Sequence, residues 1–283
     1  MTDIRQTIAE ELEVVTEFDA AREAERRIQF LAEYLRHTQT AGYVLGISGG
    51  VDSTVGGRLA QLACERVRES GYEARFVAMR LPYGTQADED DAQQALAFIE
   101  PDELITIDIK PSVDALWDGL LAAGMAGPGA TDFVRGNVKA RVRMVAQYAV
   151  AGARGMLVVG TDQAAEALVG FFTKFGDNAV DLTPLTGLSK RRVRQLGRYL
   201  GAAENLIEKV PTADLEDDQP LAADELALGV SYDAVDDFLE GIPVSAAAEQ
   251  TILGWYHRTA HKRALPITPG QWETRQEADP ERG

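Results

Sequence analysis

Between residues 43 and 159, short apolar runs alternate with longer amphipathic stretches, and that order leaves few folds open. Residues 43–47, 75–80, 104–109 and 156–159 have the length and side chains of strands, while 54–69, 88–99, 112–121 and 133–151 repeat with a helical period. Short links between strand and helix predict a parallel sheet wrapped on both faces, so the expected fold is α/β, a single Rossmann-like domain with helices flanking the sheet. Ligands of such sheets bind beyond the carboxyl ends of the strands. The loops that start at Ser48, Leu81 and Gly160 are therefore expected to face one site.

Two helices precede the first strand, within residues 4–38. Ile4, Ile8, Leu12 and Val15 form one apolar stripe, and Ile28, Leu31, Ala32 and Leu35 a second, with Asp19 placed to cap the second helix. These stripes either cover the core or meet a second subunit; if left exposed they would argue for a partner. Downstream, residues 190–200 read as a helix, Val235, Phe238 and Leu239 mark a shorter one, and 245–258 form another capped by Ser245. Residues 1–270 are taken as one domain and 271–283 as a polar tail.

The net charge of -17 and pI of about 4.6 disfavour nucleic-acid partners, whose phosphates this field repels. One cysteine and three histidines exclude an internal disulfide and argue against a Cys/His zinc site. Cys64 lies at helical spacing with Ala60 and Val67, which makes it a core thiol rather than a nucleophile. No apolar run approaches the ~20 residues that a membrane-spanning helix needs. The first residues lack a secretory layout, so a cytoplasmic location is expected.

Chemistry enters with Gly46-Ile47-Ser48-Gly49-Gly50-Val51-Asp52-Ser53, a glycine loop joining the first strand to a helix. The glycines permit a tight turn and close approach of a phosphate, and the helix N-terminus supplies N–H donors. No lysine follows the glycines, so this is not a P-loop of the NTPase type. A carboxylate at Asp52, beside phosphate oxygens, calls for a cation between them, and Mg²⁺ suits that role. Glu166, after the strand at 156–159, could reach the same ion. The bland alternatives are that Asp52 caps a helix and that Glu166 favours a helix dipole.

The loop resembles that of the ATP pyrophosphatase superfamily, which cleaves ATP to AMP and pyrophosphate. Five further segments, 81–89, 132–137, 159–166, 170–178 and 211–218, appear in the order found in ammonia-dependent NAD synthetases. The resemblance reaches to about Pro266. It implies an adenine nucleotide alpha hydrolase-like fold, a homodimer with the N-terminal helices near the interface, and ATP, deamido-NAD and ammonia as substrates. It assigns residues 46–53, Arg80, Gln86, Thr161, Lys190 and Thr212 to ATP, with Asp52 and Lys190 catalytic. Asp52 and Glu166 are assigned to Mg²⁺, and Arg141, Lys174, Asp181, His261 and Lys262 to deamido-NAD. Tyr34 and Phe171 are weaker candidates for flanking the nicotinate ring. Val51 departs from the family, where many members carry Gln, as does Val138, where an acidic residue is common.

The implied reaction suits these residues. Adenylation turns an unreactive carboxylate into a mixed anhydride, pyrophosphate leaves, and ammonia displaces AMP without a protein nucleophile. The clusters Arg135, Lys139, Arg141, Arg143 and His261, Lys262, Arg263 would concentrate positive charge for a dinucleotide. The acidic segment 211–219 is expected to act as a lid. A glutamine-dependent synthetase would need a glutaminase domain, a tRNA-modifying enzyme would sit badly with the acidity, and a sensor without turnover would not need both Asp52 and Glu166.

Overall fold

The computed structural model describes residues 4–84, 89–125, 127–211, 224–264 and 266–271. Among them, four parallel strands form one sheet in the order β3-β2-β1-β4: β1 (Gly42–Gly46), β2 (Arg75–Arg80), β3 (Glu103–Thr106) and β4 (Leu157–Val158). The third strand is shorter than the sequence predicts, because after Thr106 the chain turns toward the helix that follows. There Ile109 N–H donates to Pro82 O at 2.8 Å. The bridge between Val159 and Leu182 extends the β4 edge beyond the regular ladder.

In chain order the helices are α1 (Ile4–Glu11), α2 (Ala20–Thr38), α3 (Val51–Glu69), α4 (Glu89–Ile99), α5 (Lys110–Leu120), α6 (Asp132–Arg154), α7 (Ala164–Val169) and α8 (Lys190–Leu200). They continue as α9 (Glu204–Ile207), α10 (Asp224–Leu228), α11 (Tyr232–Leu239), α12 (Ala246–Arg258) and α13 (Ala260–Arg263). A π turn over Leu121–Met125 extends α5. Helix α7 is short, lies in a region whose pattern is otherwise irregular, and carries Glu166 in its first turn, as the helix-dipole alternative for that residue required.

On one face of the sheet, α2, α3 and α8 pack against each other and against Tyr43, Leu45, Phe76 and Ala78. On the other, Val44, Val77, Met79 and Val158 meet Ile109, Val113 and Ala151. The strand side chains alternate between these two cores, as a doubly covered parallel sheet requires. A third core joins α1, α7, α11 and α12 around Leu168, Val235, Phe238 and Ile252. Cys64 is wholly buried, and burial pushes its thiol up to about 12.

The N-terminal stripes find their partners within the chain. Leu31, Ala32 and Leu35 are fully enclosed against the sheet core, and Ile8 and Leu12 are buried in the third core. Each large side chain so buried is worth roughly 1.5–3 kcal/mol. Asp19 caps α2 as expected, accepting from Arg22 N–H at 2.8 Å. The buried Arg27 pairs with Glu23 at 3.0 Å and donates to Thr186 O at 3.1 Å, pinning α2 to the segment that leads into α8.

Gly42 opens β1 with φ of 139°, and a Cβ there would lie 1.8 Å from Arg75 O. Only glycine permits this approach of the two central strands.

Candidate active site

Strand β1 ends at Gly46, and the chain turns through Ile47, Ser48 and Gly49 into α3. Gly49 has φ of 85°, and a Cβ on it would meet Ala92 N at 2.8 Å. Ser48 and Ser53 hydroxyls stand 3.1 Å apart, and Ser53 and Thr54 hydroxyls donate to Gly50 O at 3.1 and 2.8 Å. Gly50 caps α3 without a side-chain acceptor. The first N–H groups of a nineteen-residue helix are thus left for a ligand, in a loop braced by its own hydroxyls.

This loop forms one wall of a cavity of about 310 Å³. The loops after β2 and β4 contribute Arg80, Leu81, Thr161 and Glu166, and α6 contributes Ala140, Arg143 and Gln147. The three strand-end loops therefore converge as expected. At the centre stands Lys190, the first residue of α8, with 3% of its side chain exposed. Its Nζ lies 2.5 Å from Asp52 Oδ2 and 3.2 Å from Glu166 Oε1. Burial alone would depress the Lys190 ammonium, but Asp52 and Glu166 together hold it above its ordinary range.

A lysine followed by two arginines is a poor start for a helix, because the dipole repels cations there. Here α11 supplies the counter-charge. The Asp236 carboxylate accepts from Lys190 N–H at 2.9 Å and Arg191 N–H at 2.7 Å. Glu240 and Asp237 pair with Arg192 and Arg191 at 3.3 and 2.8 Å. Burial pushes Asp236 up to about 6 despite those two amide donors. Ser189 completes the cap, accepting from Arg192 N–H at 3.2 Å.

Two carboxylates share one ammonium, so the centre carries surplus negative charge. Burial pushes Glu166 well above the usual carboxylate range against the pull of Lys190, and Asp52 and Asp162 push it further. Asp52 Oδ1 is buried without a hydrogen-bond partner. Such a pair is chemically suited to a hard divalent cation that takes its remaining ligands from phosphate or water. Among the described residues no group of three or more His, Cys, Asp or Glu is arranged around a metal position. A cation here would thus rest on Asp52 and Glu166.

The other expected residues divide. Gly46, Ile47, Ser48, Gly50, Val51, Asp52, Ser53, Arg80, Thr161 and Lys190 line the cavity, as does Phe171. Arg80 is already engaged, donating to Ile47 O and to Glu89 Oε2 at 2.8 Å. Gln86 and Thr212 lie outside the described residues, as does most of the expected lid. Tyr34 packs against the sheet core on α2, away from the cavity walls.

Arg141, Lys174 and His261 come together beyond the cavity walls. The Arg141 guanidinium donates to Lys174 O at 3.1 Å, and Lys174 Nζ donates to His261 O. Lys262 Nζ holds Gly170 O at 2.9 Å and Phe172 O at 2.8 Å. Asp181 stands apart on the β4 edge, where its carboxylate accepts from Val158 N–H at 2.7 Å.

Sequence reasoning missed Gln147, whose Oε1 accepts from Gly46 N–H at 2.7 Å and so fixes the end of β1. It also left Asp177 and Lys209 without a role, although both line the cavity. The spacing of Ala140, Arg143 and Gln147 on α6 places all three on one helical face, which is the signal that would have found Gln147.

Comparison with known proteins bears on this arrangement directly. The NH(3)-dependent NAD(+) synthetase of Streptomyces coelicolor (strain ATCC BAA-471 / A3(2) / M145) is 63% identical over 268 residues, covering 94% of this chain and 97% of that protein. The crystal structure of NAD+ synthetase from Burkholderia pseudomallei superposes with a TM-score of 0.81 at 57% identity, covering 93% of this chain and 96% of that one. An NMN synthetase from Francisella tularensis follows with a TM-score of 0.77 at 35% identity, covering 89% and 99%. The family model described as NAD synthase matches residues 23–266. With agreement running through both the sheet and the segments that build the cavity, this chain belongs to the NAD synthase family.

Proposed function

We propose that the chain is an ammonia-dependent ligase that amidates deamido-NAD to NAD, consuming ATP and releasing AMP and pyrophosphate. The observation that carries this reading is Lys190, held between Asp52 and Glu166 beside the open N-terminus of α3. A cavity with helix N–H donors, one ammonium and two carboxylates fits a triphosphate with its cation better than it fits a neutral ligand.

In this reading the Ser48 and Ser53 hydroxyls and the first amides of α3 hold the departing pyrophosphate. Lys190 balances the charge that grows on the phosphate under attack, a form of preorganised electrostatic stabilisation. Arg80 and Thr161 contact ATP, and Gln86 and Thr212 are assigned there with them. Asp52 and Glu166 hold Mg²⁺, which when bound neutralises phosphate oxygens and strengthens pyrophosphate as a leaving group. Arg141, Lys174, Asp181, His261 and Lys262 serve deamido-NAD. The cavity lies between α6 and the strand-end loops, and the segment 211–219 serves as the lid that keeps water from the acyl adenylate while ammonia attacks it.

The same reading includes a cytoplasmic homodimer with residues 4–38 near its interface and residues 1–270 as the working domain. Among the described residues no helix is long and apolar enough to cross a membrane. Because the apolar stripes of α1 and α2 are occupied internally, a partner would meet outward residues such as Phe30, which is 42% exposed.

The test is NAD formation from deamido-NAD, MgATP and ammonium, with AMP and pyrophosphate counted and with glutamine in a parallel reaction. Equal yields of NAD, AMP and pyrophosphate with ammonium are expected. A parallel reaction with the deamido-mononucleotide addresses the likeness to the Francisella tularensis protein, and preference for that substrate would overturn the dinucleotide assignment.

A further inference from the structure

Lys190 has one neighbour to which the proposed mechanism gives no task. The ring of Tyr232, the first residue of α11, lies with its centroid 5.1 Å from Lys190 Nζ. Tyr232 is only 2% exposed and does not line the cavity. The ring therefore backs the ammonium from within the protein rather than from the substrate side. Around its phenol stand the carboxylates of the site. Burial first, and then the charges of Glu166, Asp224 and Asp52, hold that phenol well above its ordinary range. It is thus a neutral donor, and its hydroxyl donates to Asp224 Oδ2 at 3.3 Å.

The helix holds this ring in place. Ser231 caps α11, accepting from Ala234 N–H at 3.2 Å, and Glu225 Oε1 accepts from Tyr232 N–H at 2.7 Å. Val235, Phe238 and Leu239 sink the helix into the third core, which α7, the helix that carries Glu166, also builds. Tyr232 and Asp236 stand one turn apart on one face of α11. Asp236 fixes the Lys190 main chain through its N–H, and Tyr232 meets the far end of the same side chain. The two carboxylates on the ammonium have a competing duty, because Asp52 and Glu166 are the residues that would hold Mg²⁺. Their pull on Lys190 weakens whenever their charge is shared with a cation. A ring face attracts an ammonium without a formal charge that a metal could draw away, and most strongly where water is excluded.

We propose that Tyr232 is a positioning residue for Lys190, its ring keeping the ammonium aimed at the phosphate while Asp52 and Glu166 serve the cation. This rests on the ligase reading above. It makes α11 a platform that sets Lys190 at both ends, through Asp236 at the main chain and Tyr232 at the head. The ring carries the effect, and the hydroxyl adds only its tie to Asp224.

The test follows adenylation as deamido-NAD-dependent exchange of pyrophosphate into ATP, with NAD formation measured alongside. Tyr232→Met should lower kcat for exchange about tenfold, with little change in KM for ATP or deamido-NAD. Tyr232→Phe, which keeps the ring, should stay within about twofold of wild type. Introduced into Lys190→Met, the Tyr232→Met change should cost no further activity, because its target is gone. In thermal unfolding without ligands, the shifts of the two single variants should likewise exceed in sum the shift of the double variant. Equal losses in Tyr232→Phe and Tyr232→Met overturn the proposal, as does an unchanged kcat in Tyr232→Met or full additivity with Lys190→Met. Should Tyr232→Met fold poorly, phenylalanines of increasing ring fluorination in place of Tyr232 decide. They keep the outline of the ring and weaken its negative face, so kcat should fall stepwise along the series, and a flat series overturns the proposal. A wild-type protein that shows neither exchange nor NAD formation would instead sink the ligase reading itself.

Discussion

Two cationic regions, one at the centre of the catalytic cavity and one beyond its walls, use their positive charge in opposite ways. At Lys190 the ammonium meets side-chain carboxylates that outnumber it, and little of it reaches solvent. Around Lys174 and Lys262 the cations hold main-chain carbonyls, at His261, Gly170 and Phe172. The first region keeps a charge imbalance for a ligand to resolve. The second uses its charges to set the path of the 170–178 loop against α13. Lysines assigned to one site therefore need not do the same job.

Replacing Lys190 by Met tests the contrast most severely. Amidation should fall by about 10²–10³, the range for loss of one preorganised electrostatic donor. Melting temperature should also drop, because Asp52 and Glu166 lose their shared partner. Steady-state rates and thermal unfolding without ligands measure both effects. Lys262→Met should act mainly on the fold, by about 1–3 kcal/mol, as the Gly170 and Phe172 carbonyls lose their donor. Denaturant titration reads this, and an unchanged midpoint with a raised KM for deamido-NAD would mean that the lysine serves the dinucleotide by contact alone and not through the loop.

Glu166→Gln sharpens the account of the imbalance. The variant keeps the shape of the side chain but removes one negative charge from the pair, so half-saturation by Mg²⁺ should rise about tenfold with smaller change in KM for deamido-NAD. A metal titration at fixed free ATP separates the two.

The smallest effect concerns Asp162. Burial, then Asp177 and Asp52, push its carboxyl up to about 7 from 3.8, with Arg263 and a backbone hydrogen bond from Gln163 opposing. A folded-state pKa above the unfolded one means that the stability it lends is full below the unfolded value and is lost as pH rises through the folded value. Asn cannot ionise, so the melting temperature of Asp162→Asn should gain on wild type as pH rises from about 4 to about 7 and level off above that. Calorimetry at several pH values between about 4 and 8 checks the sign and the levelling.

The parallel sheet, the phosphate loop and the meeting of Asp52 with Glu166 were legible in the sequence, for a common reason, whereas Lys190 was implied only by the family resemblance. Strand-to-helix punctuation fixes where loops emerge, and loops that emerge on one edge of a parallel sheet must converge. The α8 helix was legible to the residue, since Ser189 caps it and Gly201 ends it in the left-handed region at φ of 92°. Partners reached across the fold were harder to read. Nothing local to Asp236 says that it will serve the amides of Lys190 and Arg191, and nothing near Gln147 says that it will hold Gly46. The N-terminal stripes show the same limit: their periodicity identifies a face that must be covered, while only the fold reveals that the chain covers it itself.

The contact between Lys190 and Asp52 spans 138 positions of the chain. All four strands of the sheet have been made before Lys190 leaves the ribosome, and α11, which anchors the start of α8, comes later still. A nascent polypeptide can thus complete its sheet while its phosphate loop still lacks its counter-ion. A chain cut short before residue 190 therefore lacks both the ammonium between Asp52 and Glu166 and the helix that packs on α2 and α3, so the charge centre and one layer of the core arrive together.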